Sequence, residues 1–324
     1  MRIVSLLMVL VGCGFPRPAR VNADAARSDS SGVDSVVDAY SFGPHRHYVI
    51  SSIHLPASNT DARAVGLDLN DDGTTDNQLG MAIVAMVGQG IDSQGPLNSA
   101  IDRGAAIDLL DVQAPDLANA AAAHFASFIG ADPSPPACSG TNDMVCRHHL
   151  DGSASFSLAH ATTDTPLVGP IMNQTYAGSG GQLTLSLSLL GSAPFEVTLL
   201  GARTKLTNPQ ATMLAGVIGG GVTASDVDSK LIPAMQIAFS MLVQRDCTQL
   251  TSPPGCGCAT SSTGQSLISI FDSSHDCAIT VTEIRNNNLI TSLFAPDVMV
   301  EGVAALSLGF SFTAVGATFT VPGQ

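Results

Sequence analysis

Residues 182–190 read QLTLSLSLL, and their strict alternation constrains the fold more than any other stretch of the chain. Leu183, Leu185, Leu187 and Leu189 fall on one side of an extended backbone, and Thr184, Ser186 and Ser188 on the other. A period of two belongs to a strand with one buried and one wetted face, which is the habit of antiparallel sheets. Similar alternation marks HYVISSIHL at 47–55, SASFSLA from Ser153, and FEVTLLGARTKL at 195–206. LSLGFSF and ATFTV near the C-terminus read as a final hairpin, and further strands are expected at 105–113 and 120–130. So many half-buried strands predict a β-rich α+β chain built on an antiparallel β-sandwich with inserted helices.

The helices are read from period and caps. LGMAIVAMV at 79–87 is nearly all apolar, and its Met and Ala favour a buried helix over a strand. Residues 96–103 read as a short helix. Thr223 with Asp226 three places later resembles a capping box. Val227, Leu231, Met235, Ala238 and Leu242 then recur at helical spacing through a kink at Pro233. The helical insertions are placed at about 223–246 and 265–294, within a single sandwich-like domain over 46–324. GVIGGG at 216–221 lacks the lysine of a phosphate-binding loop and reads as a turn before the Thr223 helix.

The first 45 residues follow a different logic. MRIVSLLMVLVGC carries a basic residue at Arg2 and an apolar run too short to span a bilayer. It ends Leu10-Val11-Gly12-Cys13, which resembles the lipobox of bacterial lipoproteins. That resemblance implies a signal peptide over 1–12, cleavage before Cys13, and acyl chains on Cys13 that fasten the chain to a membrane. Residues 13–45, rich in Ala, Ser and Asp, read as a flexible lipidated tether. No Asp follows Cys13, which points to the outer membrane of the cell envelope.

Charge narrows the partners. Formal net charge is −14, so nucleic acid is not an expected partner. All but three of the 27 acidic residues are aspartate, a residue of turns and caps; the exceptions are Glu196, Glu283 and Glu301. Cys13 aside, six cysteines remain, an even number that suits an oxidising compartment. Cys138 and Cys146 bracket a short loop and are expected to pair. Cys256 and Cys258 are too close to bridge each other, and reach to Cys247 and Cys277 in an order left open. A zinc site on Cys256 and Cys258 is the rival reading, but their spacing fits no usual finger.

Two loops carry oxygen donors at telling intervals. Counting from Asp272, positions 1, 3, 5, 7, 9 and 12 are Asp272, Ser274, Asp276, Ala278, Thr280 and Glu283. The spacing resembles an EF-hand calcium loop, in which position 7 offers its carbonyl and position 12 a bidentate carboxylate. Cys277 replaces the usual glycine at position 6, where φ is positive, and a disulfide there would hold the turn. The resemblance implies a helix–loop–helix over 265–294. Upstream, DLNDDGTTDN sets Asp68, Asn70, Asp72, Thr74 and Asp76 close together. This resembles the first part of an EF-hand loop or the Asp-rich repeats of thrombospondin type 3 and dockerin modules. Position 12 is Leu79, so any bidentate acid must come from elsewhere. Calcium, in a structural role, is the cofactor these loops imply.

Other chemistry is not visible. G-x-S-x-G, HExxH, P-loop and dinucleotide motifs do not occur. His45 and His47 alternate on a strand and His148-His149 adjoin Cys146; all four read as surface or loop histidines rather than metal ligands. No Trp and three Tyr argue against a stacking platform for sugars. The chain as a whole resembles exported lipoproteins of high-GC Gram-negative bacteria that carry LDLNDDGTTDNQLG-like and ITVTEIRNN-like segments. That resemblance implies an anchored, calcium-binding surface lipoprotein with a structural or scaffold role. The alternatives are a secreted hydrolase using aspartates and a calcium-dependent adhesin. The partner protein or surface is left unspecified.

Overall fold

Strand β1 (His45–His54) hydrogen-bonds along β10 (Val303–Gly316), and that one antiparallel pairing closes the sheet on itself. The computed structural model describes residues 42–161, 164–188, 193–250, 253 and 255–321. Between the two closing strands run β2 (Asp108–Gln113), β3 (Ala120–Ser134), β5 (Leu167–Met172), β6 (Thr175–Leu187), β7 (Phe195–Thr207) and β8 (Met213–Thr223). The ring order is β1-β2-β3-β5-β6-β7-β8-β10 and back to β1, antiparallel throughout. Two short strands lie outside the ring: β4 (Ser155–Leu158) on β3 and β9 (Val298–Val300) on β10.

The expected β-sandwich is therefore corrected to a closed eight-stranded antiparallel barrel. The alternation was read properly as one buried face per strand, but a buried face can meet a second sheet or curl round to meet itself. Length and irregularity decide here. β6, β7 and β10 run 13, 13 and 14 residues, and register shifts interrupt the β1–β10, β6–β7 and β7–β8 pairings. Bulges of this kind bend long strands and raise their twist until the edges meet. Gly201 in β7 shows the requirement locally: its φ is +50°, and a Cβ there would lie 1.9 Å from Val300 Cγ1.

Side chains fill the ring. Tyr48, Leu110, Phe125, Tyr176, Leu185 and Phe310 belong to one buried apolar cluster, each at most 1% exposed. The buried hydroxyls find partners, Tyr48 Oη donating to Gln210 O at 2.7 Å and Tyr176 Oη to Leu167 O at 2.9 Å. The cluster runs on into helices at one mouth, where Leu79 and Ile83 of α2 (Gln78–Gly88) and Leu97 of α3 (Gln94–Asp102) meet Leu187, Val222 and Leu308. Preceding these is α1 (Asn59–Ala64). A second, smaller cluster forms on the outer face of β1–β3, where Val49, Leu109 and Phe128 are covered by Ala154, Phe156 and Phe319.

One stretch of the wall lacks a neighbouring strand. β5 is short, so β3 and the 183–187 half of β6 face each other without ladder bonds between them. Side chains stitch the gap. Ser127 Oγ donates to Thr184 O at 3.0 Å, Ser186 N donates to Asp108 Oδ1 at 2.7 Å, and Thr184 N donates to Asp164 Oδ2 at 2.5 Å. Asp108, 2% exposed, thus replaces a strand's carbonyl at a position that would otherwise leave a buried N–H unpaired.

Four more sequence expectations change. GVIGGG is not a turn but the middle of β8. LSLGFSF belongs to the single long strand β10, and ATFTV is not its hairpin partner: it crosses the outer face, touching β4 through the Ser155–Thr318 bridge. The Thr223 start holds, with Thr223 Oγ1 accepting from Asp226 N in α4 (Ala224–Asp226); helical backbone then runs unbroken through five π-helical residues into α5 (Ile232–Asp246), so the irregularity read at Pro233 takes the form of a π-helical turn immediately before it. Finally, 265–294 does not form an EF-hand helix–loop–helix. Helix α6 (Thr263–Phe271) leads to the loop, but the following helix α7 (Val281–Asn286) has only 6 residues. Asn287 ends it and caps a separate helix α8 (Asn288–Leu293), as expected of asparagines, which compete with helix for their own backbone.

Candidate metal-binding loops

Helix α6 positions the first loop. Its apolar side, Leu267 and Phe271, is buried, and Phe271 packs on Phe239 of α5 with ring centroids 5.1 Å apart. The chain leaves α6 at Asp272, which is only 5% exposed. Asp272 Oδ1 accepts from Asp276 N at 3.1 Å and Oδ2 from Cys277 N at 2.9 Å. These bonds curl the backbone tightly, with φ of +58° at His275 and +67° at Cys277. Cys277 is fixed in that conformation by a disulfide to Cys256, as its place in the loop implied.

Glu283 returns over the loop from α7. Its Oε1 accepts from Ser274 N at 2.9 Å and Ser274 Oγ at 3.0 Å; its Oε2 accepts from Thr280 N and Thr280 Oγ1, each at 2.9 Å. Thr280 Oγ1 accepts in turn from Glu283 N, completing a capping box. Partial burial opposes ionisation of Glu283, but the N–H and hydroxyl donors of Ser274 and Thr280 overcome it and bring the carboxyl down to about 2. Ser274 Oγ also lies 3.4 Å from Asp272 Oδ1. Asp272, Ser274 and Glu283 therefore converge, with Ser274 between the two carboxylates. Asp276 is turned to its own backbone, Oδ1 accepting from Ala278 N at 3.0 Å. Ile279, next to Ala278, is buried, and its carbonyl accepts from Gln236 Nε2 at 2.9 Å.

The second loop, 68–76, is held at its ends by the Leu67–Asp76 bridge. Asp68 Oδ2 accepts from Gly73 N at 2.9 Å, Asn70 Oδ1 from Asp72 N at 3.1 Å, and Asp72 Oδ1 from both Thr74 N and Thr74 Oγ1. Asp76 Oδ2 reaches back to Leu69 N at 2.8 Å. Burial pushes the Asp76 carboxyl up; the Leu69 N–H opposes this, while the fields of Asp72, Asp297 and Asp68 add to it. Asp297, just before β9, thus adds a carboxylate from outside the loop to the four within it, where the sequence demanded an acid from elsewhere. It is held by Ser307, whose N and Oγ donate to it at 2.7 and 2.5 Å. Arg203 of β7 grips Asp71 with two bonds of 2.7 and 2.9 Å and ties the loop to the barrel. Past the loop, Asn77 caps α2, its Oδ1 accepting from Gly80 N at 3.0 Å and from Gly309 N of β10 at 2.8 Å.

All six downstream cysteines are bonded: Cys138–Cys146, Cys247–Cys258 and Cys256–Cys277. The order left open in the sequence is thereby settled, and the rival zinc site on Cys256 and Cys258 is removed because neither sulfur is a thiolate. Cys13, the proposed signal peptide and most of the tether lie outside the described residues; the described chain joins β1 at His45.

Sequence reasoning missed Asp297 and Arg203, whose partners lie far along the chain, and no local signal marks them. It also missed Asp111, which stands beside His45 and His47. An apolar cavity between α2, α6 and α8, lined by Met86, Phe239, Leu267, Ile270 and Leu289 among others, holds no carboxylate. Comparison with models of protein families, with curated proteins and with solved structures found no match for this chain.

Proposed function

We propose that this chain is a calcium-stabilised, non-enzymatic scaffold of the bacterial cell envelope, anchored at the outer membrane through lipid on Cys13. The observation that carries the calcium reading is the convergence of Asp272, Ser274 and Glu283, with Ser274 Oγ 3.4 and 3.0 Å from oxygens of the two carboxylates. The donors are all hard oxygen, the chemistry that suits Ca²⁺. The cluster of Asp68, Asp72, Asp76 and Asp297 supports it further: burial raises the Asp76 carboxyl, the charges of Asp72, Asp297 and Asp68 add to the rise, and a divalent ion would offset that repulsion. Calcium in these loops would be structural: one loop is tied to strand β7 of the barrel by Arg203, and the other to the segment between α5 and α6 by the Cys256–Cys277 bridge. The inward apolar face of the barrel supports anchoring rather than spanning, since a membrane-spanning barrel turns its apolar band outward.

Thermal melts and calorimetry test the reading on the whole chain. Binding at a calcium concentration 100 times Kd stabilises by about 2.7 kcal/mol. On a domain of this size that is worth about 5 °C in Tm. Chelator should lower Tm by this order and calcium should restore it, while Glu283→Gln should remove the heat of the 272–283 loop. A melt unmoved by excess chelator, with no heat on calcium addition, would overturn it.

A further inference from the structure

The outer face of β1 and β2 carries nitrogen and oxygen donors that the calcium reading does not use. His45 and His47 lie two apart on β1 and so share a face. Register sets His47 opposite Asp111 and His45 opposite Gln113 on β2. His45 Nδ1 is 2.7 Å from Asp111 Oδ2, and His47 Nε2 is 3.6 Å from Asp111 Oδ1. The second separation is too long for a hydrogen bond. Neither His47 Nε2 nor Asp111 Oδ1 has another partner among the described residues, although both atoms are buried and the Asp111 side chain is only 7% exposed. A buried polar atom left unpaired is costly. An ion between these two groups would satisfy both at once.

The geometry suits a particular ion class. One donor atom from each of His45, His47 and Asp111 lies within 4.8 Å of the others. Tetrahedral zinc with bonds of about 2.0 Å spaces its ligands by about 3.3 Å; His47 Nε2 and Asp111 Oδ1, at 3.6 Å, are close to that spacing, and His45 Nδ1 stands 2.7 Å from the other carboxylate oxygen, Oδ2. Two imidazoles and one carboxylate select a borderline transition metal rather than calcium. Phe319 stacks on His47 with centroids 4.2 Å apart and so holds the ring in place. His45, 31% exposed in its side chain, leaves one side of the site open to solvent. We propose that His45, His47 and Asp111 form a binding site for a zinc-class divalent ion on the outside of the barrel, with three protein donors and one position open to water. This corrects the reading of His45 and His47 as ordinary surface histidines: the His47 side chain is only 16% exposed and aimed at a carboxylate.

The test uses the whole protein, stripped with chelator and then saturated with Ca²⁺ so that the two loops do not compete. Co²⁺ should bind with one equivalent, develop the visible bands of low-coordinate cobalt, and be displaced by Zn²⁺. Loss of a mere outer-shell partner costs about 10–100-fold in metal affinity, so His47→Gln and Asp111→Asn should each weaken Zn²⁺ by at least about 100-fold. His148→Gln, at an exposed histidine paired with Asp143, serves as control and should leave the affinity unchanged. Ring ¹⁵N shifts of His45 and His47 in the unmutated protein give a reading that needs no variant, and both should move on adding one equivalent of Zn²⁺. The proposal falls if no cobalt bands appear, if those shifts stay put, or if folded variants keep wild-type affinity; the trio is then a His–Asp ion pair and nothing more. Glu283→Gln should not disturb Zn²⁺, which separates failure here from failure of the calcium reading.

Discussion

Asp108 offers the sharpest test of how the barrel wall is built. Its side chain, carried on β2, accepts from Ser186 N of β6 at 2.7 Å. Burial raises its carboxyl from 3.8 to about 7; the Ser186 N–H opposes this and the charge of Glu196 adds to it. The folded protein therefore keeps a proton that the unfolded chain gives up between those two pH values. Stability must fall as pH rises through that window, by about 1.4 kcal/mol per pH unit and about 4 kcal/mol in all. Asp108→Asn keeps an oxygen to accept from Ser186 N and cannot ionise. Urea denaturation of both proteins from pH 4 to pH 8, disulfides intact, reads the difference directly. The two should be close in stability at pH 4, and the variant should be ahead by about 4 kcal/mol at pH 8. Subtracting one profile from the other cancels every other titrating group. A difference that stays flat across the range would show that Asp108 ionises like a surface aspartate, and the stitched-gap reasoning would fail with it.

Two further outcomes follow from the same geometry. Removing the Cys256–Cys277 bridge, which closes a separation of 21 residues, by a double change to serine should cost about 3 kcal/mol in chemical denaturation; a loss well below 1 kcal/mol would mean that the loop needs no such clamp. Burial pushes the His149 imidazole below its ordinary 6.5, so the unfolded chain takes a proton that the folded one refuses, and stability should decline as pH falls from 6.5. His149→Leu should flatten that acid limb relative to wild type, and an unchanged limb would contradict the assignment.

Local features of this molecule were legible in the sequence, and distant ones were not. The helix at 79–87 and the strands at 47–55, 182–187 and 195–206 follow from period alone, because each buries one face whatever it meets. Gly219, Gly220 and Gly221 misled because glycine usually signals a turn; here Gly220 is needed in β8, where a Cβ would lie 2.7 Å from Leu199 Cβ. β5 escaped notice because Pro170 interrupts its pattern. Barrel closure depends on a register between β1 and β10 that no local pattern encodes. The same division holds for the candidate sites. The Asp272-to-Glu283 spacing is a property of one loop and could be counted. Asp111 stands beside His45 only through strand pairing, 66 positions away in sequence.

The seam between β1 and β10 joins residues such as Ser51 and Thr313, 262 positions apart. No shorter run of these strands has both edges satisfied, so the ring cannot be assembled piecemeal. Contacts this remote make folding slow, because the chain must surrender its freedom long before the pairing rewards it. A polypeptide halted before β10 would expose the bare edges of β1 and β8 as templates for intermolecular pairing. Such a fragment would aggregate rather than settle into a smaller barrel.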